Sequence, residues 1–182
     1  LVTRSTGFFG SIMGMPIAAG NLFIGSFDVG NAMSNPLKAT KFGLPFRHIP
    51  TYLAGYYKYK AGDQFTEGGK PVSGKRDLCD IYAIMYETSE SVPTLDGTNA
   101  FTSPNLVSIA RIDDAKETDE WTYFKLPFHM LSGKYIDKEK LTAGKYNVAI
   151  VFTSSLEGDH FNGAIGSTLL IDEVELIYRS ED

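Results

Sequence analysis

Two tyrosine-rich stretches, residues 51–60 (TYLAGYYKYK) and 79–87 (CDIYAIMYE), show the clearest alternation of side-chain types in the chain. Successive side chains of a strand point to opposite faces of a sheet, so this period of two, rich in aromatic residues, predicts strands. We expect the two strands to pair. In the second, an apolar face holds Cys79 and Met85, and the opposite face holds Asp80, Tyr82, Ile84 and Tyr86. We expect a ligand on that opposite face.

Alternation, or a short apolar run bounded by turn residues, predicts six further strands, at residues 21–28, 37–43, 105–112, 121–128, 145–154 and 167–178. Long polar connections separate some of them, and residues 7–20 form an irregular segment. About eight strands without a βαβ rhythm predict an all-β fold. We expect one domain over residues 1–182, a two-sheet antiparallel β-sandwich of the jelly-roll type.

The strand at residues 167–178 places a carboxylate in an apolar setting. Strict alternation puts Asp172 on the same face as Leu170 and Val174, and we expect that face to point inward. A buried carboxylate must be paired, hydrogen-bonded, protonated or bound to a metal. Hard oxygen ligands suit Ca²⁺, so we expect a structural calcium ion with Asp172 as a ligand. The alternative is that backbone amides donate to Asp172.

Charge and composition exclude several classes of function. The net charge of −5 comes from 17 basic and 22 acidic residues that are interspersed, without the basic patch of a nucleic-acid-binding surface. Apolar runs fall short of the roughly 18–20 residues of a membrane span, so we expect no insertion into a membrane. Cys79 is the single cysteine and lies on an apolar strand face, which predicts a buried, inert thiol.

Five stretches, taken in order, resemble a known family: residues 3–7 (TRSTG), 18–25 (AAGNLFIG), 36–40 (PLKAT), 55–60 (GYYKYK) and 166–174 (GSTLLIDEV). The set is similar to the putative carbohydrate metabolism domain of Bacteroidetes surface proteins. This resemblance implies a jelly-roll sandwich like that of carbohydrate-binding modules. It also implies a C-terminal position in a longer lipoprotein or secreted protein, behind an N-terminal immunoglobulin-like domain. The start at Leu1 agrees, and we expect an extracellular or outer-membrane-anchored location.

A sugar site needs aromatic faces that stack on a pyranose ring and polar groups that bind its hydroxyls. In residues 121–128, alternation turns Phe124 inward and leaves Trp121 and Tyr123 on the opposite face. We expect a polysaccharide or oligosaccharide to contact Tyr56, Lys58, Asp80, Tyr82, Tyr86 and Trp121. The alternative is that these aromatic residues fill the core and pair across strands.

Glycoside hydrolysis requires two carboxylates that flank the scissile bond. The chain offers many pairs of acids and the sequence distinguishes none of them, so we predict no catalytic residue. We therefore expect a non-catalytic carbohydrate-binding or glycan-presenting domain. The alternatives are a glycoside hydrolase or other glycan-active enzyme, and a structural or adhesive surface domain.

Overall fold

The computed structural model describes residues 1–30, 32 and 34–179, and its strands form antiparallel sheets. Strands and helices are numbered in chain order. The small sheets consist of β1 (Arg4–Ser5) with β2 (Ile17–Ala18), β4 (Gly25–Phe27) with β5 (Thr40–Phe42), and β8 (Phe65–Glu67) with β9 (Lys70–Pro71) and β15 (Gly163–Ala164). The short helices are α1 (Gly7–Ile12), α2 (Pro36–Ala39) and α3 (Lys138–Thr142), with a 3-10 turn at Gly158–His160.

Two larger sheets carry the fold. The six-stranded sheet contains β3 (Asn21–Phe23), β6 (Leu44–Pro45), β10 (Asp80–Glu87), β11 (Leu106–Arg111), β13 (His129–Met130) and β14 (Tyr146–Thr153). The three-stranded sheet contains β7 (Ile49–Lys60), β12 (Thr118–Pro127) and β16 (Thr168–Arg179). The all-β class is as predicted. Within the described residues, no helix is long and apolar enough to cross a membrane.

The predicted pairing of the two tyrosine-rich strands is wrong. β7 lies between β12 and β16, whereas β10 lies between β11 and β14 in the other sheet. Alternation identifies a strand and its faces, but the backbone groups that pair strands are the same in every residue. The sequence pattern therefore could not name the neighbours.

The main core lies between the two larger sheets. Leu53, Tyr57 and Tyr59 of β7 meet residues of β10, β11 and β14 in one buried cluster. Cys79 belongs to this cluster, which confirms the prediction of a buried thiol, and burial raises its pKa to about 12. The apolar face predicted for β10 therefore points into the core, although the predicted pairing of β10 with β7 is wrong.

A second buried cluster lies on the outer face of the six-stranded sheet. Ile84 and Tyr86 of β10 are covered there by Phe42, Leu95 and Ala100. These covering residues belong to β5 and to the connection between β10 and β11. The face on which we expected a ligand is thus closed at the Tyr86 end of β10.

The predicted strand at residues 21–28 breaks at Gly25 into β3 and β4, which join different sheets. Gly25 has φ +152°, and a Cβ on it would lie 1.9 Å from the Lys41 carbonyl oxygen, so only glycine fits. The predicted strand at 37–43 begins instead as α2 and becomes β5 at Thr40. The break carries β4, α2 and β5 over the outer face of the six-stranded sheet.

The inward orientation predicted for Asp172 is wrong. Asp172 pairs with Tyr56 and Glu175 pairs with Ala54, so three positions along β16 oppose two along β7. This bulge is completed by Glu173, which has φ +48° in the left-handed region. Asp172 is exposed and its carboxylate accepts from the Glu173 amide at 2.8 Å. One extra residue reverses which side chains point inward, so Leu169 and Leu176 pack in the core while Leu170 is exposed.

Candidate functional site

An open pocket of about 610 Å³ lies on the outer face of the six-stranded sheet, beyond the covered end of β10. Its volume is within the range of about 300–1,000 Å³ that small-molecule sites occupy. Strands β10 and β14 form the floor with Asp80, Tyr82, Val151 and Thr153. The walls come from β4, α2 and β5, from the connection at residues 95–101 and from the loop after β14.

The floor carries an ion pair of which only the acid is buried. The Asp80 carboxylate is 5 % exposed, and the Arg111 guanidinium contacts it in a bidentate manner, with Nε–Oδ1 at 3.1 Å and Nη2–Oδ2 at 2.7 Å. Burial raises the pKa of Asp80, although the hydrogen bonds and charge of Arg111 oppose that shift. The pair is thus held at the edge of solvent, because the Arg111 side chain is half-exposed.

Two aromatic rings, those of Tyr82 and Phe101, lie beside the Arg111 guanidinium. The rings of Tyr82 and Phe101 lie 4.7 Å apart at 57°, and the Arg111 guanidinium lies 4.3 Å from the centroid of Phe101. Phe27 also lines the pocket and is 53 % exposed. A large apolar ring open to solvent at a pocket mouth is available to stack on a ligand.

The loop after β14 lines the pocket with Ser155, which is buried, and with Asp159, which adds a carboxylate at the rim. A buried carboxylate fixes this loop: Asp77 Oδ2 accepts from Ser155 Oγ at 2.6 Å, from the Ala164 amide at 2.8 Å and from Ser167 Oγ at 2.7 Å. Asp77 is 1 % exposed and therefore has a structural role. Nothing in the sequence pattern distinguished Asp77 from the other acidic residues of its loop.

The six ligand-binding residues predicted from the sequence divide between two surfaces and the core. Asp80 and Tyr82 line the pocket. We predicted that the accessible face of β10 continues to Tyr86, and this prediction is wrong. Tyr86 is 0 % exposed and its hydroxyl donates to the Phe42 carbonyl. Tyr56, Lys58 and Trp121 lie on the outer face of the three-stranded sheet. That any of these residues touches a ligand stays a prediction.

Three pocket residues escaped the sequence-based prediction: Arg111, Phe101 and Phe27. Each lies in a different segment of the chain, and long-range folding alone brings them together. The one available signal was Arg111, a cation that ends an otherwise apolar strand. A buried strand that closes on a charge predicts a partner of opposite sign.

We expected calcium at Asp172 because we predicted a buried carboxylate there. Asp172 is exposed, so that argument no longer applies. Among the residues that the structure describes, no group of three or more His, Cys, Asp or Glu side chains is arranged to hold a metal ion. Calcium binding by the domain is untested and stays a prediction.

Comparison with known proteins places the chain in a family. The model of the family described as putative carbohydrate metabolism domain matches residues 1–177. The chain belongs to this family. The resemblance seen in the sequence is thereby confirmed. No curated protein matches the chain.

Two solved structures resemble this carbohydrate metabolism domain closely. A structure named putative glycoside hydrolase from Bacteroides thetaiotaomicron has 99 % identity and a TM-score of 0.98, and it matches over 100 % of this chain. A structure of the same name from Bacteroides vulgatus has 52 % identity and a TM-score of 0.93 over 98 % of this chain. The chain spans 53 % of the first and 72 % of the second. The family description and both names concern carbohydrates.

Proposed function

We propose that the domain is a non-catalytic carbohydrate-binding module on a jelly-roll scaffold, with its site in the pocket above Asp80 and Arg111. The observation that carries the proposal is that one pocket combines two exposed aromatic rings, Phe27 and Phe101, with the ion pair of buried Asp80 and half-exposed Arg111. The family to which the chain belongs supports the ligand class.

Sugar recognition explains the chemistry of this pocket. The C–H face of a pyranose ring packs on an aromatic ring, and its hydroxyls take hydrogen bonds from fixed polar groups. Because Asp80 occupies two donors of Arg111, that guanidinium is held in one orientation and keeps further N–H groups for a ligand. The Asp80–Arg111 pair contributes no net charge and Asp159 adds one negative charge at the rim, so we expect neutral sugars to be preferred to acidic ones.

The test is affinity electrophoresis of the 182-residue chain through gels that contain soluble polysaccharides, followed by titration calorimetry with oligosaccharides of each retarding polymer. Phe27→Ala should weaken binding about tenfold or more, equivalent to about 1.4 kcal/mol. Phe8→Ala is the matched control, because Phe8 is also exposed but lies in α1 outside the pocket. Calorimetry in which Phe27→Ala changes neither the affinity nor the number of binding sites, or in which both variants weaken binding equally, would refute the proposed site.

The hydrolase alternative is favoured by one feature of the same pocket. Asp80 and Asp159 both line it, and the raised pKa of Asp80 is a property of general acids. The bidentate contact with Arg111 counts against that role, because it stabilises the charged carboxylate. Release of reducing sugar by the wild-type chain, abolished in Asp80→Asn and Asp159→Asn with binding retained, would establish hydrolysis instead.

The structural or adhesive alternative is favoured by the apolar side chains of α1 and the turn after it. Phe8, Phe9, Ile12 and Met13 are all exposed. In a longer surface protein of the kind expected from the sequence, an immunoglobulin-like domain would bury such residues against itself. Absence of binding to every polysaccharide would favour this alternative.

A further inference from the structure

The outer face of the three-stranded sheet presents a row of aromatic rings, of which Trp121 and Tyr123 are exposed and Tyr56 is half-buried. Tyr123 of β12 lies directly opposite Tyr56 of β7, with ring centroids 5.2 Å apart at 55°. Trp121 and Tyr123 are 45 % and 54 % exposed, although β12 turns Phe124 and Leu126 into the core. These rings therefore lie outside the core while their neighbours in sequence lie inside it.

Local structure holds Trp121 out from the sheet. Thr118 pairs with Tyr59 and Thr122 pairs with Tyr57, so four positions on β12 oppose two on β7 and a bulge forms between them. The hydroxyls of Thr118 and Thr122 donate to the Glu120 carbonyl at 2.9 and 3.1 Å. The bulge that carries Trp121 is thus braced by its own threonines.

A cleft lined by both charged and apolar side chains lies beside Trp121. Its volume is about 540 Å³, and its lining includes Lys58, Lys60, Asp63, Asp119, Ile165 and Leu170. Lys58 joins the two features, because its ammonium lies 5.1 Å from the Trp121 ring and its side chain also lines the cleft. Two lysines and two aspartates give this cleft no net charge.

We infer that the aromatic row and the cleft form a second carbohydrate-binding site, which takes a neutral polysaccharide. Adjacent rings of Tyr56, Trp121 and Tyr123 can hold consecutive sugar residues, and the cleft offers both donors and acceptors to hydroxyls. The balanced charge fits a neutral polymer, whereas an anionic polymer would require an excess of cations. The ligand class follows the proposed function, but the site is a different one.

This site is separate from the pocket. The pocket lies on the outer face of the six-stranded sheet, and the aromatic row lies on the outer face of the three-stranded sheet. The core cluster of both sheets fills the space between them. A substitution at one site therefore makes no direct contact with the other site, and the two sites can be tested separately.

The single tryptophan of the chain is Trp121, so its fluorescence reports on the second site alone. The experiment titrates the 182-residue chain with neutral β-glucan, xylan, galactomannan and starch, and with pectin as the anionic comparison. It records tryptophan emission, iodide quenching and gel retardation. We expect a neutral polymer to shift the emission and to reduce quenching by iodide. The same change should appear in the pocket variant Phe27→Ala.

Tyr123→Ala should raise about tenfold the polysaccharide concentration that gives half of the fluorescence response. Tyr135→Ala, which replaces an exposed tyrosine elsewhere, should leave that concentration unchanged. Retardation that persists in Phe27→Ala but not in Tyr123→Ala would support the second site and refute the pocket. Retardation without any change in tryptophan fluorescence would overturn the second site and leave the pocket standing. A response to pectin alone would overturn the assignment to neutral polymers, and no retardation by any polymer would overturn both sites.

Discussion

The carboxylate of Asp80 and the guanidinium of Arg111 form a bidentate ion pair on the floor of the aromatic pocket, with their closest atoms 2.7 Å apart. The two residues come from neighbouring strands, because Tyr82 of β10 lies opposite Arg111 of β11. Asp80 is almost fully buried and Arg111 is half-exposed. The buried member of this pair therefore depends on the accessible one.

Replacement of Arg111 by Met should raise the pKa of Asp80 further above its usual range, because Arg111 lowers the pKa that burial raises. The measurement is a ¹³C NMR titration of the Asp80 carboxyl group in the wild type and in Arg111→Met. A pKa that falls in the variant, or that lies below the ordinary range in the wild type, would contradict the expectation.

The same shift has a consequence for stability. The folded-state pKa of Asp80 exceeds the unfolded value of about 3.9. The stabilisation that protonated Asp80 gives the folded state is therefore fully present below the unfolded value, and it is lost as the pH rises through the folded-state pKa. Asp80→Asn should remove this loss. Chemical denaturation of wild type and variant across that pH window measures the difference, and parallel stability curves would rule the effect out.

Asp77→Ala should lower the free energy of unfolding by at least about 3 kcal/mol, because it leaves two hydroxyls and an amide without their buried acceptor. Urea denaturation measures the loss. Asp113→Ala, at an exposed aspartate, should change stability by less than about 0.5 kcal/mol. Similar losses in both variants would show that the Asp77 network contributes little.

Glu173→Gly should stabilise the domain by about 0.5–1 kcal/mol, because Glu173 adopts a left-handed conformation that glycine reaches without strain. Glu175→Gly, two positions further along the same strand and without positive φ, should destabilise it by a similar amount. Thermal unfolding of the two variants should therefore shift in opposite directions. A shared direction would mean that the bulge is not the source of the effect.

Cys79 should not react with Ellman's reagent in the native protein at pH 8, since its thiol is buried and burial raises its pKa to about 12. One thiol per chain should react once guanidinium chloride is added. Rapid reaction of the native protein would indicate that the core between the two sheets opens readily.

Much of the fold could be predicted from local pattern. The strand predicted at 145–154 is β14, Tyr146–Thr153, and the inward faces of β10 and β12 are those that alternation indicates. Prediction failed at β16, because a bulge adds one residue and alternation alone assumes none. It failed for the partners of β7 for a different reason, since strand pairing is a property of the whole chain.

The sequence by itself determined the all-β class, the burial of Cys79, the outward position of Trp121 and the membership of the carbohydrate metabolism domain family. These depend on side-chain periodicity and on ordered motifs, which are local. Only the tertiary structure decided that Asp80 meets Arg111 and Phe101, and that Tyr56 and Trp121 lie on the other side of the core. Such contacts join residues far apart in the chain, and their positions follow from sheet packing, bulges and the break at Gly25.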